Sequence, residues 1–105
     1  MHRHPEGGWY AETFRDAGDK ARAHSTAIYY LLERGDRSHW HRVRDAVEVW
    51  HFYAGDPLLL RISNEKGVEN LTLGIDLAKG ERPQVIVPAN AWQAAEPLGR
   101  FTFVG

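Results

Sequence analysis

The chain contains no cysteine. That removes disulfides, thiolate metal ligands and a thiol nucleophile, and it leaves the redox compartment unmarked. It has no surplus of charge of either sign, because 13 Lys and Arg stand against 14 Asp and Glu, a formal net charge of −1 with His neutral. No broad field therefore draws it to nucleic acid or to an anionic membrane, and no basic stripe marks a nucleic-acid surface. No apolar run comes near the roughly 20 residues that cross a bilayer as a helix. A charged-then-apolar leader of the secretory kind is missing from the start of the sequence as well. A cytoplasmic protein that binds neither membrane nor nucleic acid is the expectation. Long amphipathic helical patterns are also lacking, and with them the helical fold classes.

What is present is a strand-and-turn pattern within 105 residues, enough for one domain over 1–105. Short apolar runs rich in aromatic and β-branched residues are broken by Gly, Asp, Asn or Pro. They predict strands at Trp9–Arg15, Ser25–Glu33, His39–Arg44, Val47–Tyr53, Leu58–Ser63, Glu69–Ile75, Gln84–Val87, Trp92–Glu96 and Arg100–Val104. Turn chemistry falls between them at 18–20, 34–36, 55–57 and 80–83. Strands of this number and spacing belong to an all-β sandwich or barrel. The sequence closes on an expected strand, Phe101–Val104, which as a last strand would form an open edge. From that edge the sequence predicts a C-terminal truncation, a partner subunit that covers the strand, or both.

The densest chemical signal is Ser38-His39-Trp40-His41 and the segment after it. Residues i and i+2 of a strand share a face, so His39 and His41 are expected to project together. A turn near Arg44 folds the next strand beside them, with Glu48, Trp50 and Phe52 on one of its faces. With Glu48 facing the imidazoles, two His and one carboxylate form a set able to hold Zn, Fe, Mn or Ni. Without a metal, His41 and Glu48 are candidate catalytic groups for general acid–base work. Trp50, Phe52, Tyr30 and Trp92 suit either a stacking wall for a ligand or a small core. Glu12, in phase with Tyr10 and Phe14, points to the cavity or to solvent. The basic cluster Arg34, Arg37, Arg42 and Arg44, interleaved with acids, reads as a solvated rim. His2 and His4 read as part of a terminal tail.

Gly35, His39-Trp-His41, Glu48 and Gly55 resemble the first cupin motif, with six residues between Glu48 and Gly55 as that motif has. Two spacings depart from it: three residues separate Gly35 from His39, and six separate His41 from Glu48. Where the second motif carries its metal-binding His, the sequence reads Pro88-Ala-Asn90-Ala-Trp92-Gln93, with Gln93 in the ligand position. Asn90 stands where a turn Gly is usual, and Asn tolerates the left-handed conformation that such a turn needs. Over nearly the whole chain, blocks such as His4-Pro-Glu-Gly-Gly-Trp-Tyr-Ala-Glu-Thr-Phe-Arg15 and Glu48-Val-Trp-His-Phe-Tyr-Ala-Gly-Asp-Pro57 are similar to the cupin_5 family. The resemblance implies a jelly-roll barrel (a double-stranded β-helix), shortened at its C-terminus, and a homodimer.

Three functions stay open at this point. The first is a sugar or nucleotide-sugar isomerase- or epimerase-like enzyme. In it His41 is the base and Glu48 its partner, while His39, Trp50, Phe52, Tyr30, Gln93 and Glu12 contact the small-molecule ligand. The second is a metal-dependent cupin that uses His39, His41 and Glu48. The third is a non-catalytic ligand-binding or storage-like module.

Overall fold

The computed structural model describes residues 1–16, 25–44 and 46–105. The strands are β1 (His2–Arg3), β2 (Trp9–Asp16), β3 (Ser25–Glu33), β4 (Ser38–Arg42), β5 (Glu48–Gly55), β6 (Leu58–Asn64), β7 (Gly67–Leu73), β8 (Gln84–Val87), β9 (Trp92–Pro97) and β10 (Phe101–Val104). Among the described residues a single 3-10 turn lies at Leu77–Lys79. Among the described residues no helix is long and apolar enough to cross a membrane.

Two antiparallel sheets face each other, one ordered β1-β2-β3-β10-β5-β8 and the other β4-β9-β6-β7. Period-two alternation decides which side chains enter the space between them. On β6, Leu58, Leu60 and Ile62 are buried while Arg61 points out. On β8, Val85 and Val87 go in and Ile86 goes out, and on β10 Thr102 and Val104 go in. These residues meet Tyr30, Leu32, Trp50, Leu73, Ala91 and Ala95 in one core, against which Tyr10, Ile28, Phe52 and Leu71 pack. The result is the expected all-β jelly-roll barrel.

The turns follow local chemistry. Between β6 and β7 the Asn64 carboxamide oxygen accepts the Lys66 backbone N–H at 2.8 Å, which closes a short hairpin. Asn90 takes the left-handed conformation, φ 69°, as its place in the Pro88–Gln93 segment suggests. Its N–H donates to the Val43 carbonyl at 2.8 Å and so ties that turn to the end of β4.

Three expectations change. Strand β10 is no edge: it pairs with β3 on one side and β5 on the other, so the open-edge argument for a truncation or a covering subunit does not apply to it. The edges are β1, β8, β4 and β7. His2 belongs to a strand, pairing with Tyr10, rather than to a tail. Strand β7 begins at Gly67 and ends at Leu73, two residues earlier at each end than the apolar pattern suggests, because the β6–β7 turn sets its register residue by residue. The 18–20 turn lies outside the described residues.

Leu60, fully buried where β6 meets β9 and β7, tests the core. Leu60→Ala is expected to lower the unfolding free energy by about 2–5 kcal/mol. The change is read as a lower urea midpoint at unchanged denaturant slope.

Candidate functional site

Glu48 opens β5 in one sheet, and Gln93 lies near the start of β9 in the other. Between the sheets, the Trp50 indole N–H donates to the Gln93 carboxamide oxygen at 2.8 Å. The Gln93 amide nitrogen donates in turn to Glu48 Oε2, also at 2.8 Å. An indole nitrogen only donates, so it selects the oxygen of the amide and leaves the NH2 group for the carboxylate. The amide orientation is therefore dictated by its neighbours. Gln93 is 1% exposed and Trp50 is 6% exposed, so the bond between them is made where water cannot replace it.

His41 is the cross-strand partner of Gln93, and Ser38 is the partner of Ala95. Gln93 and Ala95 both point inward, so His41 and Ser38 do as well. Two residues, His39 and Trp40, thus stand between consecutive inward positions on β4 where a regular strand has one. This is a β-bulge, and the register shifts between Ser38 and His41. The i, i+2 expectation for His39 and His41 fails there. His39 is exposed and lines a concavity with Arg37, Trp40, Leu59, Arg61, Ala94 and Glu96, on the outer side of the four-stranded sheet.

The second imidazole at the mouth comes from elsewhere. His4 is half-buried, with its ring 5.1 Å from that of Tyr10 and 5.0 Å from that of Tyr30. Burial lowers its pKa, opposed by the charge of Glu6, while His41 lowers it further and Glu48 raises it. His4 therefore lies within electrostatic reach of both His41 and Glu48. The terminal-tail reading of His4 is corrected by this placement. Sequence reasoning had a signal for it in the Gly7-Gly8 pair, which marks a tight turn, yet nothing local says which surface the turn meets.

The other expected ligand-contacting residues fall into two groups. Tyr30 is 5% exposed, and its hydroxyl donates to the Gly7 carbonyl. Its ring lies 6.0 Å from Trp50, and burial raises its pKa. Trp50, Tyr30 and Gln93 thus form the floor of the site with their polar atoms already engaged. Phe52 is half-buried and packs on the core, and Glu12 is exposed on β2. The Arg rim stands as expected: Arg37 meets Glu96 at 3.7 Å, and Arg42 lies over the Trp92 ring.

A cupin metal does not fit these residues. Among the described residues no three His, Asp or Glu side chains are grouped to hold an ion. The bulge turns His39 away, Gln93 occupies the position of an imidazole, and one Glu48 oxygen is engaged by Gln93. The expected His39, His41 and Glu48 set is not assembled.

A family model described as the cupin superfamily (DUF985), Cupin_5, matches residues 1–105. The chain belongs to the Cupin_5 family. It is also similar to a protein from Shewanella oneidensis solved by X-ray crystallography, with 37% identity and a TM-score of 0.90 over 98% of this chain and 67% of that one. A hypothetical protein from Leishmania major is 28% identical with a TM-score of 0.86, over 98% of this chain and 72% of that one. No curated protein matches the chain.

Two outcomes test the site. Gln93→Leu strands the Trp50 indole N–H in the core and is expected to cost about 1–3 kcal/mol in urea unfolding, with an upfield shift of the Trp50 indole proton. For His4, the native state prefers the neutral ring, while the unfolded chain titrates near 6.5. As the pH falls through 6.5 the unfolded chain takes up a proton that the native state resists, so stability is lost on acidification. His4→Phe, which keeps a ring against Tyr10 and Tyr30, is expected to flatten that acid limb in a series of thermal melts.

Proposed function

We propose that the mouth of this cupin barrel binds a small polar carbonyl compound, of the sugar or nucleotide-sugar kind, and moves a proton on it without a metal. The observation that carries this reading is that Gln93 pairs with His41 across the strands and bonds to Glu48, with His4 in electrostatic reach of both, above a floor where the polar atoms of Trp50, Tyr30 and Gln93 are already engaged. A floor of that kind does not compete for protons, so the three groups at the mouth are left to exchange them with a ligand. His41 acts as base, Glu48 is its acidic partner, and Gln93 orients Glu48. Phe52 and Tyr10 supply apolar surface beside them. The sugar assignment draws on the fold alone.

The test is solvent deuterium incorporation into keto-sugars. Incorporation at the carbon beside the carbonyl is expected for the intact protein. It is expected to fall by about 10²-fold or more in His41→Ala and Glu48→Ala. A ligand that binds and shows no exchange overturns the reading. The burial of Trp50, Tyr30 and Gln93 favours one alternative, a non-catalytic module whose barrel holds a ligand only at its rim. Under that alternative the same variants change ligand retention and leave no turnover to lose.

The chain is further proposed to work as a homodimer. Val49, Tyr53, Tyr29, Ile86 and Phe101 are exposed on the six-stranded sheet, and Tyr29, Tyr53 and Phe103 contact one another there. These uncharged side chains can face their own copies across a two-fold axis without like-charge repulsion. Light scattering is expected to give twice the chain mass, and Tyr53→Glu is expected to return the monomer.

A further inference from the structure

Each of the two histidines at the mouth engages one ring nitrogen with the backbone, and the two do so in opposite senses. The Glu6 backbone N–H donates to His4 Nδ1 at 3.0 Å. A backbone amide cannot accept, so His4 Nδ1 holds a lone pair and the neutral ring carries its proton on Nε2. On β4, His41 Nδ1 lies 2.8 Å from the His39 carbonyl oxygen. A carbonyl oxygen cannot donate, so His41 Nδ1 carries a proton and the neutral ring keeps its lone pair on Nε2.

We infer that His4 and His41 are a complementary pair, His4 presenting Nε2–H as a hydrogen-bond donor and His41 presenting a bare Nε2 as a proton acceptor, matched to an α-hydroxycarbonyl compound. The assignment of chemistry rests on the proposed proton-transfer function, whereas the two tautomers stand without it. In the reaction, His41 Nε2 takes the proton from the carbon beside the carbonyl. The C–H electron pair becomes the C=C bond of the enediolate, and the carbonyl π pair moves onto oxygen. That oxygen accepts the His4 Nε2–H bond. The proton then returns from the His41 imidazolium to carbon, so nothing is consumed and no co-reactant is needed.

The fold holds His4 in this role. Its backbone N–H donates to the Gly8 carbonyl at 2.9 Å, and its carbonyl accepts the Gly7 N–H at 3.0 Å. Gly7 has φ 109°, and a Cβ there would collide with the Arg37 carbonyl oxygen, so only glycine closes this turn against the β3–β4 connection. The Glu6 carbonyl accepts the His39 N–H at 2.8 Å, which anchors the turn to the bulge of β4. Protonating His4 would place a second hydrogen on Nδ1, facing the Glu6 N–H, and would forfeit that bond. The titratable groups within electrostatic reach of the ring are Glu6, His41 and Glu48, with the rings of Tyr10 and Tyr30 against it.

Long-range proton–nitrogen NMR of the labelled full chain reads both tautomers, with His4→Gln and His41→Gln used to assign the signals. Above the ordinary imidazole range, His4 is expected to show the Nε2–H pattern and His41 the Nδ1–H pattern. The same tautomer in both rings, or the exchanging mixture of free imidazole, overturns the inference. Dihydroxyacetone serves as the probe for deuterium exchange. His4→Phe is expected to lower kcat by about 10²-fold with KM little changed, and His4→Gln, which keeps an N–H donor, to recover part of it. Exchange by His4→Phe equal to that of the intact protein overturns the donor role. Correct tautomers with no exchange by the intact protein support the imidazole pair and overturn the proposed function instead.

Discussion

The amide of Gln93 is the constraint around which the site is organised. It sits between two sheets that share no backbone hydrogen bond at this point, and it satisfies a donor from below and a carboxylate at the rim. A buried indole N–H with no acceptor is costly, so Trp50 requires the carboxamide oxygen. The nitrogen is then committed to Glu48. Any movement of β5 relative to β9 breaks both bonds together, and this couples the carboxylate at the mouth to the packing of the core.

That coupling also explains why this barrel is a poor host for the metal its motif suggests. Imidazole at position 93 would offer a ligand to an ion; carboxamide offers instead a two-ended bridge and neutralises the need for one. The β4 bulge completes the change by moving His39 to the outer face beside Arg37 and Arg61. His41 pairs with Gln93 and Glu48 bonds to it, while the imidazole in electrostatic reach of both comes from the N-terminal turn. The set is arranged for hydrogen bonding, with each imidazole held by its Nδ1 through a different backbone partner.

Much of the fold was legible because alternation is a local property. The residues Leu58, Leu60 and Ile62, or Val85 and Val87, announce their faces through spacing alone, and the burial follows it. Asn90 likewise declared its left-handed turn. The site was legible in part: Glu48, Trp50 and Phe52 share a face as their spacing requires. What the spacing could not convey was the extra residue in β4, since a bulge leaves the local sequence looking like any other strand and shows only in the register with β9. One residue of slip reverses which side a histidine faces.

The amino-acid sequence by itself determined that this chain makes a cupin barrel, where its strands lie, and that no thiol enters its chemistry. Only the tertiary structure decided which histidines lie toward Glu48. Strand periodicity is set by neighbours one and two residues apart, and it is written in the chain. The placement of His4 depends on a turn docking against strands that follow it by some 20 to 35 residues. That docking is set by the Tyr30 hydroxyl, the Gly7 carbonyl and the bulged backbone of His39, and those three groups come together only once the sheets have closed.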